Sequence, residues 1–283
     1  MTENKIEFKL VERKNPKYLL PNALTILGVC LGLSSIKFAI DLNYSMAVIA
    51  IGFAALLDTL DGRVARLIKG TSKVGKELDS LTDVISFGVA PGFVMYFWSL
   101  NEIGKFGWLF VLIYTVCCAL RLARFNLTII EENETWKINF FEGIPSPAAA
   151  GIVLLPLIFS LSNLVEILSL NAVIQFLNLN NIFNAENIKI ISSIVIFSTS
   201  ILMVSKVPTY SLKRISIPRR LAAFLLLGIG IYISILIYFP FEILFITGFT
   251  YIFLIPISYF HHKQLNKKFS SENIEEEEVE DIL

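Results

Sequence analysis

Residue types that bind zinc or form disulfide frameworks are scarce in this sequence. It contains three cysteines and two histidines among 283 residues. Cys30, Cys117 and Cys118 all lie in apolar runs and lack the paired spacing of disulfide or zinc sites. His261 and His262 are adjacent, so on a helix their side chains would point about 100° apart. The sequence therefore predicts neither a Cys/His metal centre nor a disulfide framework.

Charged residues are also few. They make up 17% of the chain and hydrophobic residues 55%, whereas ordinary soluble domains have roughly 25% and 45–50%. The formal net charge is zero, so no basic excess points to nucleic acid as a partner. The apolar excess indicates that lipid is the solvent for most of the chain.

Long apolar runs recur along the sequence. A bilayer core requires about 20 apolar residues per helix, and about eight runs approach this length, so we predict an all-α, polytopic bundle of about eight transmembrane helices. The first run has no cleavage site of the signal-peptide kind and is expected to be retained. Residues 165–179 are apolar but interrupted by Asn171, Gln175 and Asn178, which favours a connecting or interfacial helix. The predicted spans are residues 22–40, 44–68, 81–100, 107–125, 145–164, 188–204, 221–239 and 241–260.

Lysine and arginine are distributed unevenly about these spans. When the chain is threaded through eight spans, all but three of its 24 lysines and arginines fall on one side. The exceptions are Lys37, Lys105 and Lys189. By the positive-inside rule, both termini are expected to be cytoplasmic in a multi-pass protein of the cell (inner) membrane.

The pattern predicts three regions. Residues 1–19 form a cytoplasmic segment that can include an amphipathic interfacial helix, and residues 20–262 form the transmembrane domain. Residues 263–283 are rich in glutamate, with little to bury, which predicts a disordered acidic tail.

Four aspartates lie at the second and third spans, where a charged side chain costs roughly 2.5–3.5 kcal/mol on insertion scales. Asp58 and Asp61 are spaced i, i+3, and Asp79 and Asp83 are spaced i, i+4, so each pair shares one helix face. Two helices joined by a short turn can bring all four carboxylates together. Their mutual repulsion favours bound divalent cations, and an all-oxygen site suits Mg²⁺, Mn²⁺ or Ca²⁺.

The residues between the aspartates suit a phosphate ligand. Gly62, one turn after Asp58, has no side chain and lets a ligand approach the helix backbone. The small side chain of Ala65 leaves further room on the same face. Arg66 can direct a bidentate guanidinium at phosphate oxygens. Gly75, one turn before Asp79, is expected to provide clearance on the facing helix.

Together these residues form the pattern Asp58-x2-Asp61-Gly62-x2-Ala65-Arg66-x8-Gly75-x3-Asp79-x3-Asp83. This pattern resembles the complete signature of the CDP-alcohol phosphotransferase family. The resemblance implies two divalent cations, Mg²⁺ or Mn²⁺, held by the four aspartates, with Asp83 also acting as the base toward the attacking hydroxyl. It further implies a homodimer and nucleotide contacts from Asn22, Thr25, Gly62, Arg66 and Ser72. The positive-inside pattern predicts that the active site faces the cytoplasm. Asn22 can alternatively be the N-cap of the first helix.

Three other segments resemble the membrane-embedded phosphatidylserine synthases within this family. They are residues 86–91, 121–126 and 141–151. The resemblance implies CDP-diacylglycerol and L-serine as substrates, with phosphatidylserine and CMP as products. Arg121 and Arg124 are candidates to hold the serine carboxylate, although the positive-inside rule explains them equally well.

Two other functions remain open at this point. The same chemistry could use glycerol 3-phosphate, inositol phosphate or choline as the acceptor. A cation-coupled transporter could use the aspartates as ion sites. The transporter is disfavoured because the carboxylates lie in one hairpin on the cytoplasmic side and no internal repeat is visible.

Overall fold

A computed structural model of the chain describes residues 19–68, 73–127, 140–164, 185–211 and 219–280. The predicted N-terminal segment, apart from Leu19, lies outside these residues, as do Ser72 and the segment 165–179. The helices are α1 (Leu19–Ile40), α2 (Tyr44–Leu67), α3 (Lys73–Asp83), α4 (Ala90–Trp98), α5 (Lys105–Leu127), α6 (Ser146–Leu161), α7 (Ala185–Val204), α8 (Arg219–Tyr238) and α9 (Pro240–Glu280). A π-helical segment, Val84–Val89, joins α3 to α4, and a 3₁₀ turn, Leu100–Ile103, precedes α5.

The predicted all-α membrane fold is confirmed. Within the described ranges, seven helical stretches are long and apolar enough to cross a bilayer, and α3, the π segment and α4 together form one of them. The predicted span 145–164 corresponds to α6, which has 16 residues. At 1.5 Å per residue α6 extends about 24 Å, short of a hydrocarbon core of about 30 Å. Residues 152–158 of α6 are all buried, so this helix lies inside the bundle.

The small strands β1 (Phe140–Glu142) and β2 (Pro208–Tyr210) pair in an antiparallel register with Phe140 opposite Tyr210. The pair fixes the chain immediately before α6. Gly143 follows β1 with a φ of +73°, and its N–H donates to the carbonyl of Val207 at 2.9 Å. An added Cβ at Gly143 would lie 2.6 Å from the carbonyl oxygen of Met203, so glycine is required at this approach.

Small residues of α1 face the protein and large residues face outward. Gly28, Gly32 and Ser35 are buried, whereas Ile26 and Leu33 each expose about half of their surface. This arrangement suits a lipid-facing helix, because close backbone approach provides the contacts that hydrophobic burial provides in water. At Gly32 an added Cβ would meet Ser86 Oγ at 2.7 Å, which shows how tightly α1 crosses the π segment.

The π segment lies beside a proline, and a side chain of α5 compensates for the hydrogen bond that the proline cannot make. Pro91 has no N–H with which to bond the carbonyl of Phe87 four residues earlier. That carbonyl accepts a hydrogen bond from the hydroxyl of the fully buried Tyr114 at 2.8 Å instead. The π segment begins directly after Asp83, so it sets the orientation of this aspartate relative to α4.

Two predicted boundaries differ from the structure. The third span was placed at residues 81–100, but its helix begins at Lys73, because the polar first turns of α3 carry no apolar signal. The tail from residue 263 was predicted to be disordered, but α9 continues to Glu280. Lysine and glutamate have favourable helix propensities, which accounts for this continuation. The proposed domain limits stay a prediction.

Candidate active site

The site lies where the start of α1, the end of α2 and the start of α3 meet. A short turn, in which Leu42 has a φ of +59°, reverses the chain between α1 and α2. The side chain of Asn43 caps α2 by accepting from the N–H of Met46 at 3.2 Å. The two helices pack along each other, so Thr25 near the start of α1 lies opposite Asp61 near the end of α2.

Three of the predicted aspartates converge at this place. One carboxylate oxygen from each of Asp58, Asp61 and Asp79 lies within 4.8 Å of the other two. Asp61 is only 5% exposed, and Thr25 Oγ1 donates to its Oδ2 at 2.6 Å. Thr25 thereby fixes the orientation of this carboxylate, a role that the sequence had not suggested.

Asp83 completes the cluster from the last position of α3. Its side chain lies within hydrogen-bonding distance of Asp58. Its Oδ1 is buried and, among the described residues, has no hydrogen-bond partner. A buried carboxylate oxygen without a partner is costly, so this atom is available to a ligand or to a proton.

A cavity of about 340 Å³ opens beside the cluster. Asn22, Thr25, Gly62 and Arg66, which were predicted to contact the nucleotide, all line it. Asn22 is the fourth residue of α1, so its interpretation as an N-cap is wrong. The other lining residues are Pro21, Asp61, Ala65, Gly75, Lys76 and Asp79.

Gly62 is not required by the packing of the protein itself. An added Cβ would meet nothing within 4 Å in the described structure. The position faces the cavity, so a side chain there would occupy ligand space. In the described part of the chain, neither Arg63 nor Arg66 forms an ion pair with the aspartates, which argues against a purely structural role for the cluster.

Lys76 is a cavity residue that sequence reasoning missed. It precedes Asp79 by three residues on α3 and lines the cavity with Arg66. The i, i+3 spacing is visible in the sequence, but it is informative only once α3 is known to start at Lys73. The cavity therefore has two basic side chains facing its acidic wall.

The two candidate acceptor-binding arginines differ in their surroundings. Arg121 is 7% exposed, and its charge acts on both Asp58 and Asp83. Arg124 Nη2 donates to the carbonyl oxygen of Ser205 at 3.3 Å, after the end of α7. The charge of Arg121 thus reaches the carboxylate cluster.

The residues present fit divalent cations. The cluster offers only oxygen ligands, the type that Mg²⁺ and Mn²⁺ prefer. Four carboxylates this close, in a site of low dielectric constant, repel one another strongly unless positive charge balances them. The unpartnered Oδ1 of Asp83 adds a further oxygen ligand beside Asp58.

Comparison with known proteins gives consistent matches. Residues 18–248 match the family model described as CDP-alcohol phosphatidyltransferase. A CDP-diacylglycerol–serine O-phosphatidyltransferase of Mycobacterium leprae is 32% identical over 248 residues, which is 87% of this chain and 76% of that protein. The protein of the same name from Mycobacterium bovis is 34% identical over 243 residues, covering 85% and 78%. One from Helicobacter pylori is 44% identical over 141 residues, covering 50% and 58%.

Proposed function

The chain belongs to the CDP-alcohol phosphatidyltransferase family, and from this membership we propose that it transfers the phosphatidyl group of CDP-diacylglycerol to L-serine. The products are phosphatidylserine and CMP. The observation that carries the proposal is the convergence of three signature aspartates within 4.8 Å beside a cavity of about 340 Å³. The names of the relatives support serine as the acceptor.

In this proposal two divalent cations, Mg²⁺ or Mn²⁺, are held by Asp58, Asp61 and Asp79, with Asp83 contributing to one of them. When bound, they supply positive charge that stabilises the diphosphate and the leaving CMP. Thr25 keeps Asp61 in position through its 2.6 Å hydrogen bond, in the manner of partners that orient metal ligands.

Asp83 is the proposed general base. The serine hydroxyl oxygen forms a new bond to the phosphorus of the phosphatidyl group while the phosphorus–oxygen bond to CMP breaks. The hydroxyl proton passes to Asp83, whose buried Oδ1 has no other partner in the described structure. No covalent enzyme intermediate is needed, so positioning and electrostatics are the main catalytic contributions.

The cavity is the proposed nucleotide and diphosphate site. Asn22 and Thr25 approach it from α1, and Gly62 leaves room for close contact with α2. Arg66 and Lys76 face the phosphate groups, where a forked guanidinium and a flexible ammonium complement each other. Ser72 is proposed to complete the site.

We further propose a cytoplasmic active site in the cell (inner) membrane, with cytoplasmic termini, because lysine and arginine concentrate on the side that carries this site. A homodimer is proposed from the family resemblance.

Arg121 and Arg124 are proposed to face the serine carboxylate. The support is stronger for Arg121 than for Arg124, because Arg121 is buried close to Asp83.

The acceptor is tested by comparing L-serine, glycerol 3-phosphate, inositol phosphate and choline with the purified protein, CDP-diacylglycerol and Mn²⁺ or Mg²⁺. The lipid product is identified by mass spectrometry. We expect phosphatidylserine with L-serine and no product lipid from the other acceptors. A product from another acceptor alone would retain the mechanism and replace the substrate, whereas no product with any acceptor would favour a cation-coupled transporter.

Gly62→Ala is expected to separate stability from activity. Alanine in a helix interior is favoured over glycine by roughly 0.5–1 kcal/mol, and no atom opposes the new methyl group. The free energy of unfolding should therefore not fall. The methyl group intrudes on the ligand, so kcat/KM for CDP-diacylglycerol should drop about 10- to 100-fold, as small misplacements commonly cause.

Gly52→Ala is the matched control for this substitution. Gly52 lies on the same helix, and an added Cβ there also meets nothing within 4 Å. It does not line the cavity, so its activity should match that of the wild type. Equal activity in both variants would show that Gly62 provides no ligand clearance.

A further inference from the structure

Arg121 has an incomplete set of partners despite its burial. Its Nη1 donates to Ser146 Oγ, and its Cζ lies 5.9 Å from the ring centroid of Phe125. Its Nε is buried and has no hydrogen-bond partner among the described residues. A buried guanidinium donor without a partner is costly, which points to an anionic ligand at this edge of the group.

Ser146 is placed to hold this arginine in position. It is fully buried and is the first residue of α6. Its side chain also lies near the thiol of Cys118, which is one turn before Arg121 on α5. With Nη1 engaged by Ser146, the edge of the guanidinium that carries Nε and Nη2 is the one available for bidentate contact with a carboxylate.

The first turn of α6 adds a second favourable feature for an anion. Pro145 at the N-cap makes no side-chain capping hydrogen bond. The first N–H groups of a helix have no intrahelical partner, and the helix dipole places partial positive charge there. Pro147 has no N–H to give, so the amides of Ser146 and Ala148 are the donors at this end.

The surroundings of Arg121 fit an amino-acid acceptor. Both Asp83 and Tyr251 of α9 lie close enough to interact electrostatically with this arginine. A serine whose carboxylate binds Arg121 would have its hydroxyl a short side chain away, on the side of Asp83. An acceptor without a carboxylate would leave Nε of Arg121 without a partner, which is a strong basis for discrimination.

We propose that Ser146 is a positioning residue that holds Arg121, and that the two, with the first turn of α6, form the carboxylate subsite for the amino-acid acceptor. This inference rests on the proposed function. It assigns specificity to residues that the metal and nucleotide sites do not use.

The test compares L-serine with L-serinamide, which has a neutral amide in place of the carboxylate, as acceptors for CMP release. We expect the wild-type protein to prefer L-serine by about 100-fold or more in kcat/KM, since a charged partner is lost. Ser146→Ala should raise KM for L-serine about tenfold and shrink this preference, while kcat and KM for CDP-diacylglycerol stay near wild type.

Ser192→Ala is the matched control, because Ser192 is an equally buried serine of α7 away from Arg121. It should leave unchanged both KM for L-serine and the preference for L-serine over L-serinamide. Arg121→Lys serves as a second variant and should raise KM for L-serine likewise, since an ammonium cannot reproduce the fork geometry.

The outcomes separate the two proposals. If the wild type releases no CMP in response to L-serine, the proposed function fails. If it uses L-serine and L-serinamide equally well, or if Ser146→Ala slows both acceptors by the same factor, the carboxylate subsite is wrong while the serine transfer stands.

Discussion

Asp83→Asn is expected to slow serine-dependent CMP release by about 10²- to 10⁴-fold, the usual contribution of a positioned general base. Asparagine has nearly the same shape, but its amide cannot take the hydroxyl proton. The buried, unpartnered Oδ1 of Asp83 beside Asp58 makes this the carboxylate best suited to that role. Initial rates at saturating substrates measure the effect.

Asp41→Asn is the control for Asp83→Asn. Asp41 is an exposed carboxylate that pairs with Lys37 after the far end of α1. Its loss should leave the rate unchanged. A near-normal rate in Asp83→Asn would remove this residue from the chemistry.

Removal of divalent cations is expected to reduce CMP release to background, and Mn²⁺ or Mg²⁺ should restore it. Cation binding to the folded protein should also raise its thermal stability. A ligand present at 100 times its Kd stabilises by about 2.7 kcal/mol. Thermal unfolding in detergent, with EDTA or with added Mn²⁺, measures this shift in Tm.

Asp61→Asn should abolish both the activity and the Mn²⁺-dependent shift in Tm. Without metal, the variant should be at least as stable as the wild type, because one negative charge leaves a cluster of like charges. The asparagine carbonyl can still accept the hydrogen bond from Thr25. Asp41→Asn should retain the full shift. A wild-type protein that stays active in EDTA, or an Asp61→Asn variant that keeps the shift, would contradict a metal site here.

The aspartate cluster could be predicted because helical spacing alone decides much of it. Separations of three and four residues place Asp58 with Asp61, and Asp79 with Asp83, on one face of each helix. The short connection between the helices then leaves few ways to separate the pairs. The structure brings Asp58, Asp61 and Asp79 together as this pattern indicates.

Features that depend on tertiary contacts were not predictable. The start of α3 at Lys73 was missed because polar residues there face the ligand cavity rather than lipid, and Lys76 was missed with it. Pro91 marks a break in helical hydrogen bonding, but the compensation by Tyr114 comes from another helix.

The length of α6 and the burial of Arg121 illustrate the same limit. Apolar content predicted a full span at residues 145–164, yet Ser146–Leu161 is enclosed by other helices and needs no lipid-matched length. The positive-inside pattern explains an arginine near a helix end. Only the packing of α5 against Ser146 shows that Arg121 is turned into the protein.

The most direct test of phosphatidyl transfer to serine is CMP release from CDP-diacylglycerol by the purified protein in Mn²⁺, measured with and without L-serine. We expect release that depends on both the metal and L-serine, with phosphatidylserine formed in equal amount. Absence of CMP release under these conditions, from protein that still binds Mn²⁺, would contradict the proposed phosphatidyl transfer to serine.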